Sequence, residues 1–151
     1  MKILNPLEMK GTEWASNPHQ NLVSDYTTSD NFAMVRLEST DGHERNLYSS
    51  TRDLATWGYL HLKNGVIDGT QLIIEEVFEL TEKLKAQFQT KRILGWYHQA
   101  DWYYATGAAG CHCVILPQFN TVGIRMLNKY TDDYKDDQFA FNSMLLQCLA
   151  E

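Results

Sequence analysis

Trp102-Tyr-Tyr-Ala-Thr-Gly-Ala-Ala-Gly-Cys-His-Cys-Val-Ile-Leu-Pro117, continued by Thr121-Val-Gly-Ile-Arg-Met-Leu127, is the stretch that decides the fold. Aromatic and β-branched residues dominate it, and its short alternating runs predict three successive strands. Gly107 to Gly110 turns the first strand into the second, and Pro117-Gln-Phe-Asn120 turns the second into the third. Side chains alternate across a strand, so Cys111 and Cys113 face one side and His112 the other. The three cannot share one ion, and neither a metal nor another cofactor is expected. Two thiols on one strand face read better as buried packing.

Working outward, Ile93 to Gln99 is expected to form a short strand leading into this meander. Ser50-Thr-Arg-Asp53 starts a helix, with the serine as N-cap and an acidic residue three positions on. Leu54, Trp57, Leu60 or His61, and Leu62 give that helix its apolar face, and Asn64-Gly65 supplies a left-handed stop. A second helix carries Glu75 and Glu76 in its first turn and an apolar stripe of Val77, Leu80, Leu84 and Phe88. A terminal helix from about Asp136 to Ala150 is expected to bury Phe139, Leu145, Leu146 and Leu149. Before the first helix, Met1 to Asn31 is rich in turn-forming residues. Phe32 to Leu37 and Glu44 to Tyr48 flank Ser39-Thr-Asp-Gly42, which predicts a hairpin. Antiparallel strands joined by tight turns, with helices segregated around them, define an α+β class.

The 151 residues fit a single domain, 1–151. Hydrophobic residues make up 44% and charged residues 21%, as in a globular chain. A net charge of -6 without a basic cluster argues against nucleic acid or an anionic membrane as partner. No apolar run approaches the roughly 20 residues that span a bilayer. Met1 to Pro6 is too poor in apolar residues for a signal peptide, so the chain as given is expected in the cytoplasm.

Three segments resemble the β-lactamase-related serine hydrolases, the class C β-lactamase, penicillin-binding protein and esterase group. Asn5-Pro-Leu-Glu-Met-Lys-Gly-Thr12 is similar to a "PLGM-x-x-T" segment, with Glu8 in place of the glycine. Leu47 to Ala55, Leu60 to Gly65 and Asp68-Gly-Thr-Gln-Leu72 resemble a "STARDLARFGLLLLNGG…DGKQLI" run. Leu94-Gly-Trp-Tyr97 with the meander to Asn128 is the third. The resemblance implies a partial β-lactamase/transpeptidase-like fold, its C-terminal part. It also implies an acyl-enzyme chemistry in which a Ser-x-x-Lys serine attacks, a Tyr-x-Asn motif moves protons, and a Lys-Thr/Ser-Gly strand borders the substrate. Ala105, Thr106 and Gly107 fall at that last element, with Ala108 as the oxyanion donor.

The departures weigh as much. No serine here is followed by lysine three positions on, Ser49 with Arg52 coming nearest, and no tyrosine by asparagine two positions on. Ala105 replaces the basic residue. The isolated chain is therefore expected to be inactive, with a non-catalytic binding protein on the same scaffold as the alternative. Ser29-Asp30-Asn31 spells a motif of class A β-lactamases in a polar loop and is taken as chance. His61 is expected on a helix flank, and His19, His43 and His98 stand singly. Trp96, Trp102 and Tyr104 are the aromatic candidates for a ligand pocket, with core packing as the competing role for about half of the aromatic cluster. Val122-Gly-Ile-Arg-Met126 should leave an open strand edge, which favours a homo-oligomer.

Overall fold

The computed structural model describes residues 4–15, 23–25, 33–35, 46–88, 92–107, 110–126 and 137–150. The elements in chain order are β1 (Glu13–Ala15), β2 (Val23–Asp25), β3 (Ala33–Val35), β4 (Asn46–Tyr48), α1 (Thr51–Leu62), β5 (Val66–Ile67) and β6 (Thr70–Gln71). They continue with α2 (Glu75–Gln87), β7 (Arg92–Ile93), β8 (Trp96–His98), β9 (Tyr103–Gly107), β10 (Cys111–Leu116), β11 (Thr121–Arg125) and α3 (Gln138–Ala150). The fold is α+β, as expected.

The meander forms in the expected three strands and extends to a five-stranded antiparallel sheet, ordered β11-β10-β9-β8-β7. Ala105 sits opposite Cys113, and Thr106 opposite His112. The expected single strand from Ile93 is two short ones, because Leu94 and Gly95 both take positive φ (50° and 88°) and fold a two-residue hairpin loop. Asp68-Gly69 makes the same kind of turn between β5 and β6 with residues better suited to it.

Helices cover both faces. On one face, Leu54, Trp57 and Leu62 of α1 pack with Trp96, Tyr103, Ala105, Cys113, Ile115, Val122 and Ile124. On the other, Phe141, Leu145, Leu146 and Leu149 of α3 pack with Tyr104, Val114 and Leu116. β11 is gripped closely from both sides. A Cβ added to Gly58 of α1 would stand 2.6 Å from Val122, and one added to Gly123 would collide with Leu145 of α3. Both glycines are needed for the close approach of backbone to neighbour.

α1 begins as expected: the Ser50 hydroxyl accepts from the Asp53 amide at 3.1 Å. The Asp53 carboxylate, however, is taken by the Thr12 hydroxyl at 2.8 Å in a buried bond. Asn64 and Gly65 end the helix in the left-handed region (φ 49° and 84°). Glu8 also takes a left-handed conformation, φ 52°, where the resemblance has glycine.

Three expectations are corrected. β3 pairs with β2 and β4 with β1, so the two runs expected to form a hairpin do not pair with each other, and Ser39 to Gly42 lies outside the described residues; alternation marks a strand but does not choose its partner. In α2 no residue is fully buried: Val77 and Leu84 turn inward as expected, but Leu80 and Phe88 are about half exposed, and Phe78 and Thr81 turn inward in their place. In α3 Phe139 is 62% exposed and Phe141 takes its place against the sheet. Ser29-Asp30-Asn31, Ala108, His19 and His43 lie outside the described residues.

Candidate functional site

β9 holds the residues expected to border a substrate. Alternation sends Ala105 to the α1 face, where it packs beside Trp96 and Cys113. Thr106 points the other way. Its hydroxyl hydrogen-bonds His112 Nδ1 at 2.9 Å, and His112 Nε2 meets Asp137 Oδ1 at 3.1 Å. Arg125 Nη1 donates to Asp137 Oδ2 at 2.8 Å, Nη2 to Asp137 Oδ1, and Nε to the Gly110 carbonyl at 3.1 Å. The guanidinium also lies over the Phe141 ring, 5.3 Å from its centre. The Arg125 guanidinium, with a smaller contribution from His112, holds the Asp137 carboxyl well below the usual carboxylate range, against the opposing effect of partial burial. Thr106 is thus tied into a four-residue chain that anchors the start of α3 to the sheet. Gly107 ends the strand, exposed.

Cys111, His112 and Cys113 alternate as expected. Cys113 packs under α1, and burial pushes its thiol up to about 12, so it is no nucleophile near neutral pH. Among the described residues, no three His, Cys, Asp or Glu side chains are placed to hold a metal ion.

The aromatic candidates separate. Trp96 lies on the α1 side and lines a cavity with His61, His98 and Tyr103. Trp102 and Tyr104 belong to the opposite face, against α3. His61, expected on a helix flank, is wedged between Trp57, Phe78 and Trp96, with ring centres 4.8, 5.9 and 4.9 Å away. Burial drops its pKa to about 4, leaving the imidazole neutral. His98, standing singly in the sequence, joins this cavity in the fold. Its two-residue spacing from Trp96 on one strand was the available signal.

The sheet, its turn positions and the helices on both faces agree with the comparison of sequences: a family model described as Beta-lactamase matches residues 1–142. The chain belongs to the Beta-lactamase family. It is also 29% identical, over 171 aligned positions, to an uncharacterised protein of Alkalihalophilus pseudofirmus. That match takes in 98% of this chain and 51% of the relative, so the chain spans about half the length of the curated relative it matches. In this family member two of the segments carrying the resemblance touch, through the Thr12 to Asp53 bond. The third reaches α1 through Trp57 and Trp96, which meet on either side of His61.

Proposed function

We propose that this family member supplies one wall of an acyl-transfer fold, its C-terminal part, and is catalytically inert on its own. The observation that carries this is the state of β9 together with the missing motifs. The strand offers Ala105 where a basic residue would anchor a substrate carboxylate. Thr106 spends its hydroxyl on His112 (2.9 Å), and the sequence contains no Ser-x-x-Lys or Tyr-x-Asn. Without nucleophile and base, positioned donors alone give no covalent turnover. Ala105, Thr106, Gly107 and Ala108 are the residues assigned to the substrate wall and oxyanion side. The purified chain, incubated with a fluorophosphonate probe and with a p-nitrophenyl ester, is expected to show neither serine labelling nor turnover above the spontaneous rate. Labelling of any serine, or saturable turnover, overturns the assignment.

Binding without catalysis is the second function the scaffold supports, favoured by the cavity beside Trp96. A second copy of the chain is the expected macromolecular partner. Among the described residues β11 pairs only with β10, leaving the Thr121–Arg125 edge open for another strand. Light scattering at micromolar concentration should give a dimer or larger; a clean monomer removes the partner.

A further inference from the structure

A cavity of about 380 Å³ opens between α1, α2 and strands β8 and β9. Small-molecule sites span roughly 300–1,000 Å³, so its size suits a compact organic ligand. Its body is aromatic. His61 and Trp96 lie 4.9 Å apart between ring centres, Trp96 and Tyr103 5.3 Å, and Phe78 closes the α2 side 5.9 Å from His61. His98 continues the series, stacked on Tyr103 at 5.3 Å.

Two of these rings hold unspent hydrogen-bonding capacity. Nε2 of His61 and Nε2 of His98 are buried and have no partner. His98 is 9% exposed, and its other ring nitrogen bonds the Ile93 carbonyl. That bond takes the ring proton and leaves a lone pair at Nε2. Burial keeps both rings on the neutral side, His61 most clearly, so neither brings a positive charge to the cavity. A buried acceptor without a donor costs free energy until something fills it.

Charge points the same way. Glu75, Glu79 and Glu82 all line the cavity from one side of α2 and are exposed to solvent at its mouth. The nearby cation, Lys85, is paired with Glu82 at 3.0 Å. The surroundings are therefore net negative, and the ring faces of Trp96, Tyr103 and Phe78 favour a cation over an anion.

We propose that this cavity binds a small organic ammonium ion with an aromatic or branched apolar body. The ammonium N–H groups donate to the lone pair at His98, with His61 Nε2 a second polar atom of the lining, the rings enclose the charge and the apolar body, and the α2 glutamates attract the ligand. A carboxylate of the same shape has no donor for the His98 imidazole and meets the net negative charge of the α2 glutamates. A neutral alcohol supplies one donor and no charge. The site gives the binding function a ligand class and is independent of acyl transfer, because an inert chain can bind and a turnover assay does not detect it.

The test is isothermal titration calorimetry on the whole chain at pH 7.5 and low salt, with benzylammonium, benzyl alcohol and benzoate as probes. Benzylammonium should bind one to one, roughly tenfold or more tighter than benzyl alcohol, as a desolvated cation–π and ionic contribution requires, with no heat from benzoate. The double substitution Glu75→Gln and Glu79→Gln, at exposed positions that should not disturb folding, is expected to weaken benzylammonium several-fold. His98→Phe should weaken it further. Absence of saturable benzylammonium binding overturns the proposal. So does equal affinity for benzyl alcohol or benzoate, or affinity that ignores the glutamate pair.

Discussion

The two faces of the sheet treat their histidines in opposite ways. Under α3, His112 is 2% exposed and both ring nitrogens are bonded, to Thr106 and to an Asp137 that Arg125 also grips. Under α1 and α2, burial lowers the pKa of both His61 and His98, rings pack against them, and each leaves a nitrogen unbonded. The first arrangement is complete without a ligand and serves to hold α3 on the sheet. The second is incomplete. A satisfied polar network stabilises, whereas an unsatisfied buried group lowers stability until a partner arrives. One small sheet thus carries a finished structural contact on one face and spare binding capacity on the other.

The largest effect is expected at His112. Replacing it with alanine removes the bonds to Thr106 and Asp137 and leaves a void, and should cost about 3 kcal/mol in urea unfolding. A loss within the range of a surface substitution would show that the chain of bonds holds nothing.

Acid should separate the faces next. The His61 pKa is lowered to about 4 by burial, while the unfolded ring titrates near 6.5, so the unfolded chain takes up a proton that the folded one refuses. Stability is full above about 6.5 and falls as pH drops toward 4, by on the order of 2 kcal/mol, since the ring is only partly shielded from water. His61→Phe should remove most of that slope in pH-dependent thermal melts. Asp137 acts in the other window. Its carboxyl is held below the usual range, so its contribution is present above about pH 4 and is lost only at lower pH. An acid transition unchanged in His61→Phe would erase the distinction between the faces.

The smallest effect is at the cavity mouth. Leu94, 59% exposed, sits at φ 50° in a two-residue loop, a conformation asparagine tolerates far better. Leu94→Asn should stabilise by about 0.5–1 kcal/mol in the same unfolding assay. No gain would mean that the leucine earns its place by contact with the cavity.

Much of this was legible in the sequence where local chemistry decides. Gly107 to Gly110 and Pro117 to Asn120 marked the turns, Ser50 capped its helix, and Asn64-Gly65 stopped it. What was not legible depended on partners distant in sequence. The apolar periodicity of α2 allowed two neighbouring stripes, both containing Val77, and only tertiary packing turned Phe78 and Thr81 inward rather than Leu80. Phe139 and Phe141 were equally apolar, and the sheet selected one. The site was harder still. Ala105 and Thr106 were located by resemblance, but the capture of Thr106 by His112 follows from strand register. His61 and His98 come to line one cavity only through tertiary structure.

The Thr12 hydroxyl donates to the Asp53 carboxylate across 41 positions of sequence. Written as text, Pro6 to Thr12 and Ser50 to Asp53 are two separate signatures. In the folded chain they are donor and acceptor of a single buried contact, with Ser49 also touching Thr12 at 2.8 Å. A change at one end therefore alters the fitness of every change at the other. Two matches found together count as one coupled unit, and descent with modification should move them as a pair.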